Sequence, residues 1–364
     1  MAKISSRISL LNSYATSDNL IDFTRLEPLD DEELESWWRT VPGARHFMNI
    51  AMNTIEKNNS VALHLAKVDS EGFIQMLKEK IRRRYLNIIL EEFEYNGAGD
   101  MEDFVNALTE RYAPNFLRDF TKDSAMEDLA RQNLFGGYVV IVKLAKDFKK
   151  LTAAVSTFNR VANNQSGAFI FVSSQKNPSP SMARLADFLT PYDVQFFAIN
   201  LLDNVRLSTL QKIYTATLVA KLAGHSAIIA KNLATTELFN DGADFVKKII
   251  PNFDEKIYLQ AVWECQVQYI LPILEQVRGR LIEKNFRQLK NILPVKDEFG
   301  KIITDPWDME LRHLHFYGGN AMLFHINDWE NLELAYHARN LISHLEILDR
   351  EQIDKILLLA YTKF

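Results

Sequence analysis

The sequence predicts an α/β domain built on a mainly parallel sheet, followed by an all-helical module. Up to about residue 250, five short apolar runs rich in β-branched residues alternate with segments of helical period, while from Asp254 onward every apolar pattern is helical. With 47% hydrophobic and 24% charged residues in a chain of 364, there is material for two buried cores. Strands covered on both faces read as continuous apolar runs, as these do, whereas a strand with one wet face would alternate.

In chain order, the N-terminus has a basic start but only the short stretch Ile8-Ser9-Leu10-Leu11 where an export signal needs a longer apolar core, so no export is expected. The acidic run LDDEELES supplies Asp30 or Asp31 as the cap of a helix from Glu32, and Trp37-Trp38 behind it suits a buried anchor. The predicted strands are Val61 to Leu65, Leu86 to Leu90, Tyr138 to Val142, Ala168 to Val172 and Val194 to Ile199. Three end in small or polar stretches, Lys143 to Asp147, Ser173 to Gln175 and Asn200 to Asn204, at the strand ends where open parallel sheets bind ligands. Residues 206–234 read as a small helical lid broken at Gly224-His225, which completes a first domain over 1–250. The second, 251–364, contains a long helix beginning near Leu259, a loop from Pro294 to Asp305, a short piece around Trp307, and two closing helices.

The formal charge of −5 gives the whole chain no footprint for nucleic acid or an anionic membrane, so any such contact must be local. The single cysteine, Cys265, excludes an intrachain disulfide and a Cys-rich zinc site; it sits in the apolar helix AVWECQVQYI and reads as core. No stretch approaches a membrane span. A soluble, cytoplasmic protein is the expectation.

The order strand, loop, helix, further strands and helical lid resembles the AAA+ branch of P-loop NTPases. In that family the first strand enters GxxxxGK followed by Ser or Thr, whose amides, lysine and hydroxyl hold phosphates and magnesium. The corresponding LHLAKVDSEGFIQML has one glycine, Gly72, and no Gly-Lys-Ser/Thr; the only Gly-Lys, Gly300-Lys301, lies far away. The third strand, YVVIVKLAKDF, offers Asp147 in place of the family's magnesium carboxylate but interrupts the apolar run, and FIFVSS resembles the strand bearing a polar sensor. The resemblance implies a degenerate P-loop-like domain that neither hydrolyses nucleotide nor requires a cofactor.

The stretch HARNLISHLE, residues 337–346, carries Arg339, Asn340 and, five positions after the arginine, His344. This arrangement resembles the hallmark of the HEPN superfamily, helical bundles found in prokaryotic defence ribonucleases, and the resemblance spans roughly 255–364. At about 100° per residue, Leu334, Ala338, Leu341, Leu345 and Leu348 form one core-facing stripe, with Arg339, Tyr336, Ser343, Asn340 and His344 opposite. The resemblance implies metal-independent RNA cleavage. His344 would move protons at the ribose hydroxyl or leaving oxygen, Arg339 would stabilise the phosphorane, and Asn340 would orient His344 or the phosphate. It also implies a composite site in a homodimer or with a partner protein, in an anti-phage or stress-defence effector. The alternative is a non-catalytic regulatory or assembly subunit of such a complex.

For RNA, the candidates are Arg278, Arg280, Lys284, Arg287 and Lys290; from 278 to 301 seven cations face three acids, a local excess suited to phosphate. Lys78, Lys80 and Arg82 to Arg84 form a second basic cluster. Five histidines lie between 313 and 344, but none has the His-x3-His spacing of metal ligands on one helix face, and structural histidines are expected.

Overall fold

The fold is described from a computed structural model covering residues 26–96, 100–114, 125–145, 150–175, 178–250, 253–320 and 322–361. It divides into two compact units whose boundary is crossed more than once. Unit 1 takes residues up to Leu201, Val219–Ala234 and Lys248–Asn252, and unit 2 takes Leu202–Leu218, Thr235–Lys247 and Phe253–Phe364.

Unit 1 opens with α1 (Asp31–Glu35), a π-helical turn over Ser36–Thr40 and α2 (Pro42–Glu56). Asp30 caps α1 by accepting from the Glu33 amide while the Glu33 carboxylate reaches back to the Asp30 amide, so the helix starts one residue before the predicted position. β1 (Ser60–His64) leads into α3 (Lys67–Arg84), β2 (Ile89–Tyr95), α4 (Met101–Tyr112), α5 (Ala125–Arg131), β3 (Tyr138–Leu144), α6 (Leu151–Val161) and β4 (Ala168–Ser173). A two-residue β5 (Ala183–Arg184), α7 (Leu185–Phe188) and α8 (Pro191–Leu201) follow. The sheet is wholly parallel in the order β2-β3-β4-β1-β5, with β4 inserted between β1 and β3.

Every residue of β4 is buried: Phe169 and Phe171 join Phe93, Phe104, Phe135 and Phe158 in one aromatic core, and the alternate Ile170 and Val172 are equally covered. A second cluster joins Trp38 and Phe47 to Phe73 by edge contacts at 5.2 and 5.4 Å, and Trp37 to Phe197 at 4.9 Å. Both tryptophans are fully buried, as their place behind the acidic cap predicts.

Two predicted strands are corrected. The apolar run at Leu86 lies ahead of β2, with Leu86 93% exposed, and the strand continues through ILEEFEY, whose alternation fits its place on the sheet edge. Val194 to Ile199 is helical, within α8. Asp193 accepts there from Thr190 N and Oγ1, and its other oxygen accepts from Gly43 N of α2 at 3.1 Å. That contact brings α2 close to α7, so a Cβ on Gly43 would lie 2.4 Å from the Phe188 carbonyl.

The lid segment is helical: α9 (Thr209–Ala223) ends at Gly224, whose φ of 61° turns the chain, and Ser226 caps α10 (Ala227–Leu233) through the Ile229 amide. α11 (Thr236–Asp241) and α12 (Ala243–Ile249) lead on. Unit 2 is organised by the long α13 (Glu255–Lys284), with α14 (Phe286–Ile292), α15 (Leu311–His313), α16 (Ile326–Ser343) and α17 (Arg350–Leu359). The Pro294 to Asp305 segment, read as a loop, contains a two-stranded antiparallel hairpin of β6 (Val295–Lys296) and β7 (Ile302–Ile303). Cys265 is buried in α13. Among the described residues no helix is long and apolar enough to cross a membrane.

Candidate functional site

Two places merit attention, one in each unit. The first is the carboxyl end of β1, where a phosphate-binding loop would have to lie. The chain passes from β1 to α3 through Leu65 and Ala66 alone, and the Leu65 amide is already spent on the Ser173 carbonyl at 3.1 Å. Ala66, the N-cap of α3, has no side chain to cap with. A cradle needs several consecutive free amides in a glycine-rich loop, which two residues do not provide.

The negative charge expected at a helix N-terminus is supplied by the protein itself. Asp69, in the first turn of α3, is 4% exposed, and its Oδ1 accepts from Ser226 Oγ and Ile228 N, each at 3.4 Å, at the start of α10. The carboxylate thus faces the first turn of α10, where the dipole favours an anion. Burial nevertheless dominates and pushes the Asp69 carboxyl up to about 7, against those hydrogen bonds. Its Oδ2 is buried without a partner.

Beside it, Lys143 of β3 donates to Glu71 of α3 at 2.9 Å and pairs with Glu92 of β2 at 2.6 Å, while Lys78 donates to Glu92 at 2.9 Å. Burial opposes charge on both Glu92 and Lys143, but their mutual hydrogen bonds outweigh it and hold Glu92 below and Lys143 above their ordinary ranges. The lysine that interrupts the third strand is therefore the centre of an ion-pair network. Asp147 lies outside the described residues. The polar end of β4 is occupied as well: Ser173 is buried, the Gln175 carbonyl bonds His64 Nε2 at 2.7 Å, and Gln175 Nε2 donates to the Ala145 carbonyl.

The second place is the end of α16. Leu332, Ala335, Ala338 and Ile342 are its buried face, so the stripe predicted through Leu334 and Leu341 is rotated, with those two half-buried. The helix stops at Ser343. His344 is its C-cap, and Leu345 stands at φ 65° and 72% exposed rather than in the core; Leu348 is buried, but beyond the helix. The Glu346 amide bonds the Leu341 carbonyl at 2.9 Å and the Leu345 amide the Ile342 carbonyl at 3.2 Å, a Schellman cap with leucine where glycine is usual. α13 fixes this turn: Trp263 Nε1 donates to Ile342 O at 2.8 Å, and the buried Gln266 exchanges two hydrogen bonds with the Leu348 backbone.

Arg339 and His344 are exposed and Asn340 is half-buried. Five helical positions turn about 140°, so Arg339 and His344 diverge, while Asn340 and His344 lie about 40° apart. The only acid paired with Arg339 among the described residues is Glu310, at 3.9 Å.

The basic residues of α13 mostly serve the fold. Arg280 donates to the Leu359 carbonyl at 3.0 Å at the end of α17, and Arg278 to the Trp307 and Met309 carbonyls and to Glu275. Lys284 pairs with the buried Asp328 at 3.0 Å. Arg287 and Lys290 are exposed, with Lys290 over the Phe286 ring. In the other basic cluster Lys78, Arg83 and Arg84 are taken by Glu92, Glu79 and Glu56. His313 accepts from the Glu310 amide through Nδ1, which leaves Nε2 buried without a partner, and His315 stacks on Trp329 and Tyr336. Burial, first, and neighbouring positive charge lower both imidazoles. Among the described residues no three His, Cys, Asp or Glu side chains converge as a metal would require.

Sequence reasoning missed Asp69. The available signal was a lone acid in the first helical turn after β1, where a phosphate-binding helix would keep its amides free.

No protein-family model and no curated protein matches the chain. Among solved structures, a Drosophila ORC bound to DNA aligns at TM-score 0.34 and 12% identity, covering 91% of this chain and 94% of that one. An Aeropyrum pernix ORC2 protein in ADPNP-ADP complexes aligns at 0.28 and 11%, covering 95% and 97%. Both scores lie below 0.5, so neither likeness bears on the site.

Proposed function

We propose that the protein is a non-catalytic regulatory or assembly subunit, with unit 1 a degenerate AAA+-like domain that works without nucleotide. One observation carries this reading: β1 enters α3 through Leu65 and Ala66 alone, with no glycine-rich run of free amides, and the first turn of α3 carries the buried acid Asp69. A phosphate brought there would face Asp69 and Glu71, while the half-buried Lys143 is held by Glu71 and Glu92. The binding of a partner protein by this domain then depends on its surface and not on a nucleotide cycle.

The exposure of Arg339 and His344 favours a second reading, a HEPN-type ribonuclease of a defence system. Their divergence on one helix end means that two copies of the turn, or a partner, would have to combine to surround one phosphate. Assay of RNA cleavage by the parent, Arg339→Ala and His344→Ala proteins, each checked for native fold, separates the readings. The assembly subunit predicts no cleavage above background by any of the three; cleavage by the parent that both substitutions abolish establishes the ribonuclease instead.

A further inference from the structure

Among the described residues β2 pairs with β3 on one side and with no strand on the other. The register fixes which backbone groups the open side presents. At one end the Ile89 amide donates to the Gly137 carbonyl at 2.9 Å, and at the other the Tyr95 carbonyl accepts from the Ala145 amide at 3.2 Å. Alternate residues bond the neighbour in a parallel ladder, so Ile89, Glu91, Phe93 and Tyr95 face β3, while Leu90, Glu92 and Glu94 turn their amides and carbonyls outward. One hydrogen bond among the described residues reaches this outward row, from the Tyr112 phenol to the Glu92 carbonyl at 3.4 Å. The rest of the row is a template for a further strand. All of these residues belong to unit 1.

The edge carries one sign of charge. Glu94 is exposed and Glu91 half-buried, on opposite faces of the strand, and among the described residues no lysine or arginine pairs with either. Glu92 is already matched by Lys78 and Lys143. Arg111 lies instead over the Phe93 and Tyr112 rings, at 5.6 and 5.2 Å. Ile89, 47% exposed, adds an apolar group on the Glu91 face. A second copy of β2 would set glutamates against glutamates, and like charges opposite one another destabilise a strand pair. Nucleic acid would bring phosphates to the same acids. A strand with lysine or arginine opposite Glu91 and Glu94 gains both the ladder and the ion pairs.

We infer that the outer edge of β2 binds an extended basic segment of a partner protein. The segment joins the sheet as a further strand, with cations opposite Glu91 and Glu94 and an apolar residue opposite Ile89. Backbone hydrogen bonds to Leu90, Glu92 and Glu94 hold it, and the two glutamates select its charge. The inference goes beyond the proposed function and does not depend on it, since the open edge and its charge are the same whether or not unit 1 binds nucleotide.

The test is fluorescence anisotropy with the whole protein and two labelled peptides, Thr-Val-Thr-Lys-Thr-Thr-Lys-Thr and its reverse, which place the valine and lysines for parallel and antiparallel pairing. Saturable binding of one of them is expected, at least about tenfold weaker when both lysines are replaced by glutamate. The protein carrying Glu91→Lys and Glu94→Lys should reverse that preference. Methylating the peptide backbone at one or the other set of alternate amides reports the ladder: one set, and only one, should abolish binding, because a strand shows alternate amides to a neighbour. No saturable binding of either lysine peptide up to millimolar, equal binding of the glutamate versions, or equal effects of the two methylation sets overturns the inference. If the doubly substituted protein does not fold, the peptide comparisons on the parent decide alone. Sedimentation of the parent without peptide should show no dimer; a dimer dispersed by Leu90→Pro, which removes an outward amide, assigns the edge to a second copy and overturns the inference equally.

Discussion

Replacing Asp69 by asparagine keeps the shape of the side chain and its Oδ1 acceptor while removing the charge, so it isolates the effect of burying a carboxyl group at this position. The carboxyl moves from 3.8 in the unfolded chain to about 7 in the fold. At about 1.36 kcal/mol per pH unit, the folded state at pH 8 is penalised by about 4 kcal/mol for holding the ionised group. The sign follows from the order of the two values. Below pH 4 both states are protonated and the penalty vanishes; between pH 4 and 7 only the unfolded chain ionises, so stability falls as pH rises; above 7 the penalty is constant. Asparagine has no such dependence. Urea unfolding of parent and Asp69→Asn proteins followed by circular dichroism should show the difference between them moving in favour of asparagine by about 2 kcal/mol from pH 5.5 to 8. All other titrating groups are common to both proteins. Parallel stability curves over that range would show that Asp69 is an ordinary solvated carboxylate and refute the reasoning.

Leu345→Gly should stabilise unit 2 by about 0.5–1 kcal/mol. Relief of a left-handed leucine is worth about 1–2 kcal/mol, part of which is offset by the greater freedom of glycine in the unfolded chain, and the side chain is too exposed to lose much burial; a lower urea midpoint would show that the leucine is packed. Lys284→Met should destabilise by about 2 kcal/mol, because Asp328 keeps its burial and loses its cation, a loss moderated by the half-exposed lysine. An unchanged midpoint would mean that the Lys284 contact contributes nothing to stability. Gly43→Ala should lower the midpoint of unit 1, since the new methyl must displace the Phe188 carbonyl; a neutral result would show that α2 and α7 have room to part.

The legible parts of the fold were those where one local signal met no competitor. β1, β3 and β4 hold the apolar runs Val61 to Leu63, Tyr138 to Val142 and Ala168 to Val172, and burial on both faces is what such runs express. Val194 to Ile199 carries the same composition, but Pro191 and the capping Asp193 sit just before it, and a short apolar run cannot by itself separate strand from helix. β5 has two residues and no periodicity to read. The stripe on α16 is misplaced for a related reason: a helical period carried through Leu345 requires the helix to continue, whereas the Schellman turn ends it without the glycine that would mark the stop. The absence of a phosphate loop is plain in LHLAKVDSEG, but the role of Asp69 as a buried acceptor at the start of α10 is not. That role depends on Ser226 and Ile228, more than 150 residues away, whose approach no local pattern records.

The measurement closest to the central claim is equilibrium binding of ATP with magnesium to the whole protein, by calorimetry at neutral pH. A domain whose β1 enters α3 through two residues, with Asp69 in the first turn of that helix, predicts no saturable binding up to millimolar nucleotide, in the parent and in Asp69→Asn alike, because that connection lacks a run of free amides in either. Binding of one nucleotide per chain with a micromolar dissociation constant would contradict it.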